Sequence, residues 1–122
     1  MSYCRWSSDN WRCDLYCYEA VEGYVIHIAG NRLTNTPPTV PFILHVTLQE
    51  FGRAYRHQMR WLHRKAKREP IGRRYAGRSF YGLALAEFLA KLLELRRIGY
   101  RFPFSVIEDV SAELAEAVRK HD

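Results

Sequence analysis

The chain has 122 residues, 48% of them hydrophobic and 26% charged, a composition that excludes wholesale disorder or a fibrous repeat and suits one ordinary cored domain. Its 19 Lys and Arg against 13 Asp and Glu give a formal charge of +6, which directs attention to anionic partners. The longest uncharged stretch, 33–49, carries Pro37, Pro38 and Pro41 and reads against a membrane span, and the opening lacks the basic-then-apolar pattern of a secretory leader.

Residues 1–12 hold Trp6 and Trp11 without a clear period and suit an edge strand or an ordered arm. From Cys13 to Glu19 the side chains alternate, with Cys13, Leu15 and Cys17 on one face and Asp14, Tyr16 and Tyr18 on the other. Glu22-Gly23 supplies a turn and Tyr24 to Ala29 a second β-favouring run, so the two read as an antiparallel hairpin, with a short third strand at Arg32-Leu33. The segment TNTPPTVP, 34–41, is a loop because proline removes donors and restricts its neighbours. It opens a connection over 34–46 between a β-rich part, 1–33, and a helical part, 47–122.

Thr47 and Glu50 have the spacing of a capping box. Behind them Leu48, Phe51, Tyr55, Met59, Leu62 and Ala66 recur at steps of three and four, which predicts a helix with those residues as its core face, ending near Glu69-Pro70. Ser79 to Ile98 reads as a second helix closed by Gly99. Its Leu85, Phe88, Leu89, Leu92, Leu93 and Leu95 span an arc of about 160°, as a central helix touching both another helix and the sheet requires. Ser105 and Glu108 offer a second capping box, ahead of a third helix built on Ile107, Val110, Leu114 and Val118. Its acids (Glu108, Asp109, Glu113) come early and Arg119, Lys120 and His121 come late, as the helix dipole favours. The expected fold is α+β, a single domain over 1–122 in which a small N-terminal antiparallel hairpin or sheet packs against three C-terminal α-helices.

An odd count of cysteines, Cys4, Cys13 and Cys17, fits reduced thiols in a cytoplasm better than a secreted disulfide framework. Cys13 and Cys17 would stand roughly 13 Å apart along a strand, too far for two ligands of one zinc, so neither a metal nor a cofactor is expected. There is no GxxxxGK[ST] loop, GxSxG elbow, HExxH pair or CxxC pair. His57 and His63 are six apart and share no helix face, while His27 reads as a partnered sheet histidine or a site residue. Asp14 and Glu19, five apart, point to opposite faces of a strand, so no carboxylate pair supports a small metal-dependent nuclease and no catalytic residue is assigned.

The most informative stretch runs from Arg53 to Arg78, with ten Lys and Arg against one acid, Glu69. Arg53, Arg56, Arg60, Arg64 and Lys67 recur at spacings of 3, 4, 4 and 3 and line one side of the first helix. That stripe is centred roughly 130–140° from the apolar one. Like charges at this spacing disfavour a helix by roughly 0.2–0.5 kcal/mol per pair, so a purely structural surface gains by interspersing Glu. The stripe continues into a Gly72–Arg78 loop whose Arg73, Arg74, Tyr75 and Arg78 can meet phosphates and stack on bases. Trp6, Trp11, Tyr16 and Tyr18 form either a second packing surface under the helices or an aromatic contact surface for bases or a partner. The acids of the third helix are available to neutralise part of the stripe within the fold or across a homodimer.

The opening MSYCRWSSDNWRCDLYCYEAVEGYVIHIAGNR resembles the start of small phage- or prophage-encoded proteins, through Met1 to Trp6, Cys13 to Glu19 and Ala29 to Arg32, about a quarter of the chain. The resemblance implies a cytoplasmic accessory protein of bacterium or phage and brings no catalytic residues. By analogy with such proteins, a host nucleic-acid machine, CRISPR effectors included, is a partner to expect. The expected function is non-enzymatic binding of nucleic acid or a nucleoprotein complex through the basic helix and Arg-rich loop. The alternative is a protein–protein inhibitor or adaptor of a host complex, in the manner of an anti-CRISPR factor.

Overall fold

Alternation from Leu15 onward makes the two central strands. The computed structural model describes residues 2–121 without the His121 side chain, so Met1 of the resembling segment and the terminal His121 cation lie outside the described residues. β1 (Ser2–Cys4) lies along the edge, antiparallel to β2 (Leu15–Ala20), which makes the opening residues an edge strand. Between them Ser8–Trp11 (α1) forms one short turn in which Asp9, Asn10 and Trp11 have φ of 52°, 52° and 67°. β2 and β3 (Gly23–Ile28) form the expected hairpin, in register from Leu15–Ile28 to Ala20–Gly23.

The fourth strand corrects the expectation of a helix from Ser79. Ser79–Leu83 is β6, antiparallel to β3, and completes a sheet of order β1-β2-β3-β6. Its Phe80 and Tyr81 favour a pleated strand, and Gly82 takes a left-handed φ of 63°. The backbone of Gly82 approaches Gly23 so closely that a Cβ on Gly23 would stand 2.9 Å from the Gly82 carbonyl carbon. The helix that follows, α3 (Leu85–Ile98), starts where the Glu87 carboxylate accepts from the Ala84 amide at 2.9 Å, and stops at Gly99 with φ 117°.

α3 is the central helix: it touches β3, β6 and α4 (Ser105–His121). Its Phe88, Leu92 and Leu95 are fully buried against Leu15, Cys17, Ile26 and Ile28 of the sheet and Val106, Ile107 and Val110 of α4, while Leu93 stays exposed. Each such side chain contributes roughly 1.5–3 kcal/mol on burial. Ser105 is not a cap but the first residue of α4, and the Glu108 amide donates to the Phe104 carbonyl at 3.2 Å. The α+β class and the three long helices thus stand, and the sheet has four strands.

One buried carboxylate joins three parts of this core. Asp14, at 1% exposure, accepts through Oδ2 from Arg32 Nη2 and from the Arg101 amide, both at 2.6 Å. Its backbone pairs with the Arg101 carbonyl (2.7 Å) and the Ala29 amide (2.8 Å), binding the start of β2 to the end of β3 and to the α3–α4 connection.

The chain clusters into two compact units, Met1–Arg32 with Pro70–Asp122, and Leu33–Glu69, rather than following the β-rich and helical parts in chain order. β4 (Asn31–Leu33) pairs with β5 (Arg68–Pro70) where the chain passes between them. The second unit holds a 3-10 turn at Ile43–His45 and α2 (Leu48–Arg64), which carries the expected capping box: the Glu50 amide donates to Thr47 Oγ1 at 3.1 Å. α2 ends at Arg64, earlier than Glu69-Pro70, because the Asn35 amide donates to the Lys65 carbonyl (2.9 Å) and accepts from the Lys67 amide (3.0 Å). Its apolar stripe is not a core face. Gln58, donating to the Pro38 carbonyl at 2.8 Å, is the only buried α2 residue. Phe51, Met59 and Leu62 are half-buried, as is Ala66 beyond the helix end, and Leu48 and Tyr55 are exposed.

Two measurements test this packing. Cys4, Cys13 and Cys17 are all buried, with 3.1 Å between the sulfurs of Cys4 and Cys17. Hydrogen bonding to Cys4 and then burial push the Cys13 thiol far up, and at Cys4 the pull of Cys13 downward is outweighed by Cys17 and burial. An aromatic disulfide reagent at neutral pH should therefore label no cysteine of the native protein within minutes, and all three on unfolding. Rapid native labelling would contradict the buried cluster.

The second concerns phenols. Tyr3 donates to both oxygens of Glu113 at 2.7 and 2.8 Å, and burial, then Glu113, hold it well above the usual tyrosine range; burial also raises Tyr24 and Tyr100. In the unfolded chain these groups ionise near pH ~10. Above that pH the native state keeps protons the unfolded state has released, so the stability present below about pH 10 is lost as pH rises toward the folded values. Urea midpoints should fall between about pH 8 and pH 11. They should fall less in Tyr3→Phe; an equal fall would remove Tyr3 from the account.

Candidate functional site

The cationic stripe on α2 is laid out by helical spacing alone. Arg53, Arg56, Arg60 and Arg64 are exposed along one side of a helix, over roughly 16 Å. Among the described residues no salt bridge engages any of them. Lys67 is exposed too but lies beyond the helix end, so the expected five-residue helical stripe is four residues on α2 and one on the connection into β5. The unit Leu33–Glu69 holds seven Lys and Arg against two Glu, and so carries five of the six net positive charges of the chain. The same unit also exposes apolar groups, Phe42, Ile43, Leu44 at 80% and Leu48 at 75% exposure.

The Arg-rich loop belongs to the other unit, where much of it serves the fold. Arg73 donates from Nη1 to the Ile98 carbonyl at 2.7 Å, covering the C-terminus of α3, and the Tyr100 hydroxyl donates to the Arg74 carbonyl at 2.7 Å. The Tyr75 ring, half-buried at φ 74°, packs on Phe80 under the Arg74 guanidinium (4.7 Å) and the Lys91 ammonium (4.6 Å). Hydrogen bonding from Tyr75, then Lys91, holds the Glu94 carboxyl below its ordinary range. Arg78 is exposed, and its backbone is held by the Ile28 amide donating to its carbonyl at 2.9 Å.

The sheet face turned away from α3 and α4 is a second candidate. Register places Tyr16 opposite His27 and His27 opposite Ser79. The His27 ring is held by a hydrogen bond at each nitrogen, Nε2 3.1 Å from the Tyr18 hydroxyl and Nδ1 2.7 Å from Ser79 Oγ. Rings continue outward from it: Tyr18 at 5.6 Å, Tyr16 at 6.2 Å and Tyr81 at 5.6 Å between centroids, with Trp6 at 5.9 Å from Tyr16. Tyr16 and Tyr18 are therefore half-buried among one another and not packed under α3 and α4. Trp11 sits half-buried in the α1 turn. Ser79 and Tyr81 were hidden from sequence reasoning by the helical reading of 79–98; the β-favouring pair Phe80-Tyr81 ahead of Gly82 was the available signal.

The carboxylates weighed for metal chemistry are apart in role. Asp14 is spent on Arg32, and Glu19 and Glu22 are exposed. Among the described residues no three His, Cys, Asp or Glu side chains gather as a metal ion requires, and no helix is long and apolar enough to cross a membrane. No protein-family model matches the chain, and no curated protein or solved structure is similar enough to it to count as a match.

Proposed function

We propose that this protein is a non-enzymatic binder of nucleic acid or of a nucleoprotein complex, acting through Arg53, Arg56, Arg60, Arg64 and Lys67. The observation that carries the reading is the concentration of five of six net charges in Leu33–Glu69, on side chains free of salt bridges among the described residues. Guanidinium forks spaced along one helix side suit successive backbone phosphates, and such contacts are largely independent of base sequence. Arg78 is a separate exposed cation in the sheet-bearing unit, whereas Arg73, Arg74 and Tyr75 are engaged within the fold. A cytoplasmic accessory role in a bacterium or phage fits three reduced, buried thiols.

Anisotropy of labelled single- and double-stranded DNA and RNA across a salt series tests the reading. Binding should weaken linearly on a log–log plot, with a slope of about −0.7 to −0.9 per phosphate neutralised. Absence of binding to all four polymers at low salt would overturn it.

A second reading, an inhibitor or adaptor seated on an acidic protein surface, draws on the exposed Phe42, Ile43, Leu44 and Leu48 of the same unit. A bacterial partner captured equally well before and after nuclease treatment would favour it over the first.

A further inference from the structure

The sheet face bearing Trp6, Tyr16, Tyr18, His27 and Tyr81 has a chemistry the α2 stripe lacks. A surface made only to close a fold buries its rings; here Tyr81 is 66% and Trp6 36% exposed. The rings meet edge-on or tilted, at 57° for Trp6–Tyr16, 85° for Tyr16–Tyr18 and 77° for His27–Tyr81, an arrangement that leaves ring faces open. Four of them, Trp6, Tyr16, Tyr18 and His27, border a shallow cleft of about 460 Å³ that Tyr81 does not line.

We propose that this face takes the unpaired bases of a single-stranded nucleic acid, an inference that rests on the nucleic-acid reading above and adds base contacts to its phosphate contacts. Bases are flat and present π-faces, one to Trp6 and another to Tyr81, and have edges of donors and acceptors for the Tyr18 hydroxyl and Ser79 Oγ, both held in place by their hydrogen bonds to the His27 ring. Phosphate complement comes from the flanks: Arg5 next to Trp6 and Arg78 next to Ser79 are exposed and form no salt bridge among the described residues. In a duplex the base faces are stacked away, so the platform discriminates against paired strands.

The test measures affinity of the full chain for labelled single strands of poly-adenine, poly-cytosine and poly-thymine and for a duplex of equal length. It compares the wild type, Trp6→Ala with Tyr81→Ala, Tyr81→Phe, and the triple variant Arg60→Glu, Arg64→Glu, Lys67→Glu. Both aromatic positions are exposed, and circular dichroism checks that the double variant is folded. The double variant should lose about 10-fold or more on single strands and change duplex affinity less than about twofold, while Tyr81→Phe keeps wild-type affinity. Undiminished single-strand affinity in the folded double variant overturns the platform. If the wild type binds single strand and duplex alike and the triple variant loses both, the phosphate reading stands and the platform falls. If the wild type binds none of them, both fall.

Discussion

Replacing Asp14 with Ala should cost about 3–5 kcal/mol of stability, the range for removing one partner of a buried ion pair. The loss has three components in this structure: the Arg32 guanidinium, the Arg101 amide, and the ordering of β2, β3 and the α3–α4 connection that they share. Arg32 already keeps a buried Nε without a hydrogen-bond partner among the described residues, so its remaining interactions offer little compensation. Asp14→Asn keeps the shape and can still accept from one donor, and its loss should lie between wild type and Ala. Urea and thermal unfolding of the three proteins check this, with a drop in melting temperature on the order of 15 °C for Ala. A loss under about 1 kcal/mol would show that Asp14 does not join these elements. Asp14 also illustrates why a carboxylate near a basic protein's hairpin need not be chemistry: its burial leaves no open coordination position.

The largest functional effect is expected from the Arg60→Glu, Arg64→Glu, Lys67→Glu triple variant. It should lose about two orders of magnitude in affinity for single and double strands at low salt, and flatten the log–log salt slope by about 2–3, the share of three phosphate contacts. These side chains are exposed and form no salt bridge among the described residues, so the unfolding midpoint should hardly move. Their Gln counterparts should lose less, because they remove attraction without adding repulsion. A folded triple variant that binds like wild type would end the assignment to α2.

Local rules were legible where the deciding contacts were local. The alternation of Leu15, Tyr16, Cys17 and Tyr18 yielded the hairpin and its two faces, and Thr47 with Glu50 yielded the start of α2. The α3 face was read from spacing and found its partners in the sheet and α4. Elements decided at a distance were not legible. Ser79–Leu83 becomes a strand because β3 offers it an edge more than fifty residues upstream, and within the segment only the pair Phe80-Tyr81 hints at that. α2 stops at the side chain of Asn35, thirty residues away in the chain. The apolar steps of α2 were read as a core face, but period reports amphipathicity and not what covers it, and Leu48 and Tyr55 are exposed. Of the candidate site, the helix stripe was visible in spacing except for Lys67, which lies beyond the end of α2, and the aromatic face only by half, since Tyr81 and Ser79 were assigned to the wrong element.

The crossing between the two units has a further consequence. The Ile71 amide donates to the Gly30 carbonyl at 2.9 Å, so the chain that departs at Arg32 and returns at Pro70 is already closed by a backbone bond on the near side. The basic unit is thereby a cassette threaded into a loop of the sheet-bearing unit, whose core residues all lie outside it. Inserted segments with adjacent ends impose little closure entropy on their host. None of the core residues named above belongs to the cassette, so the charged surface and the packed sheet are carried by separate stretches of chain.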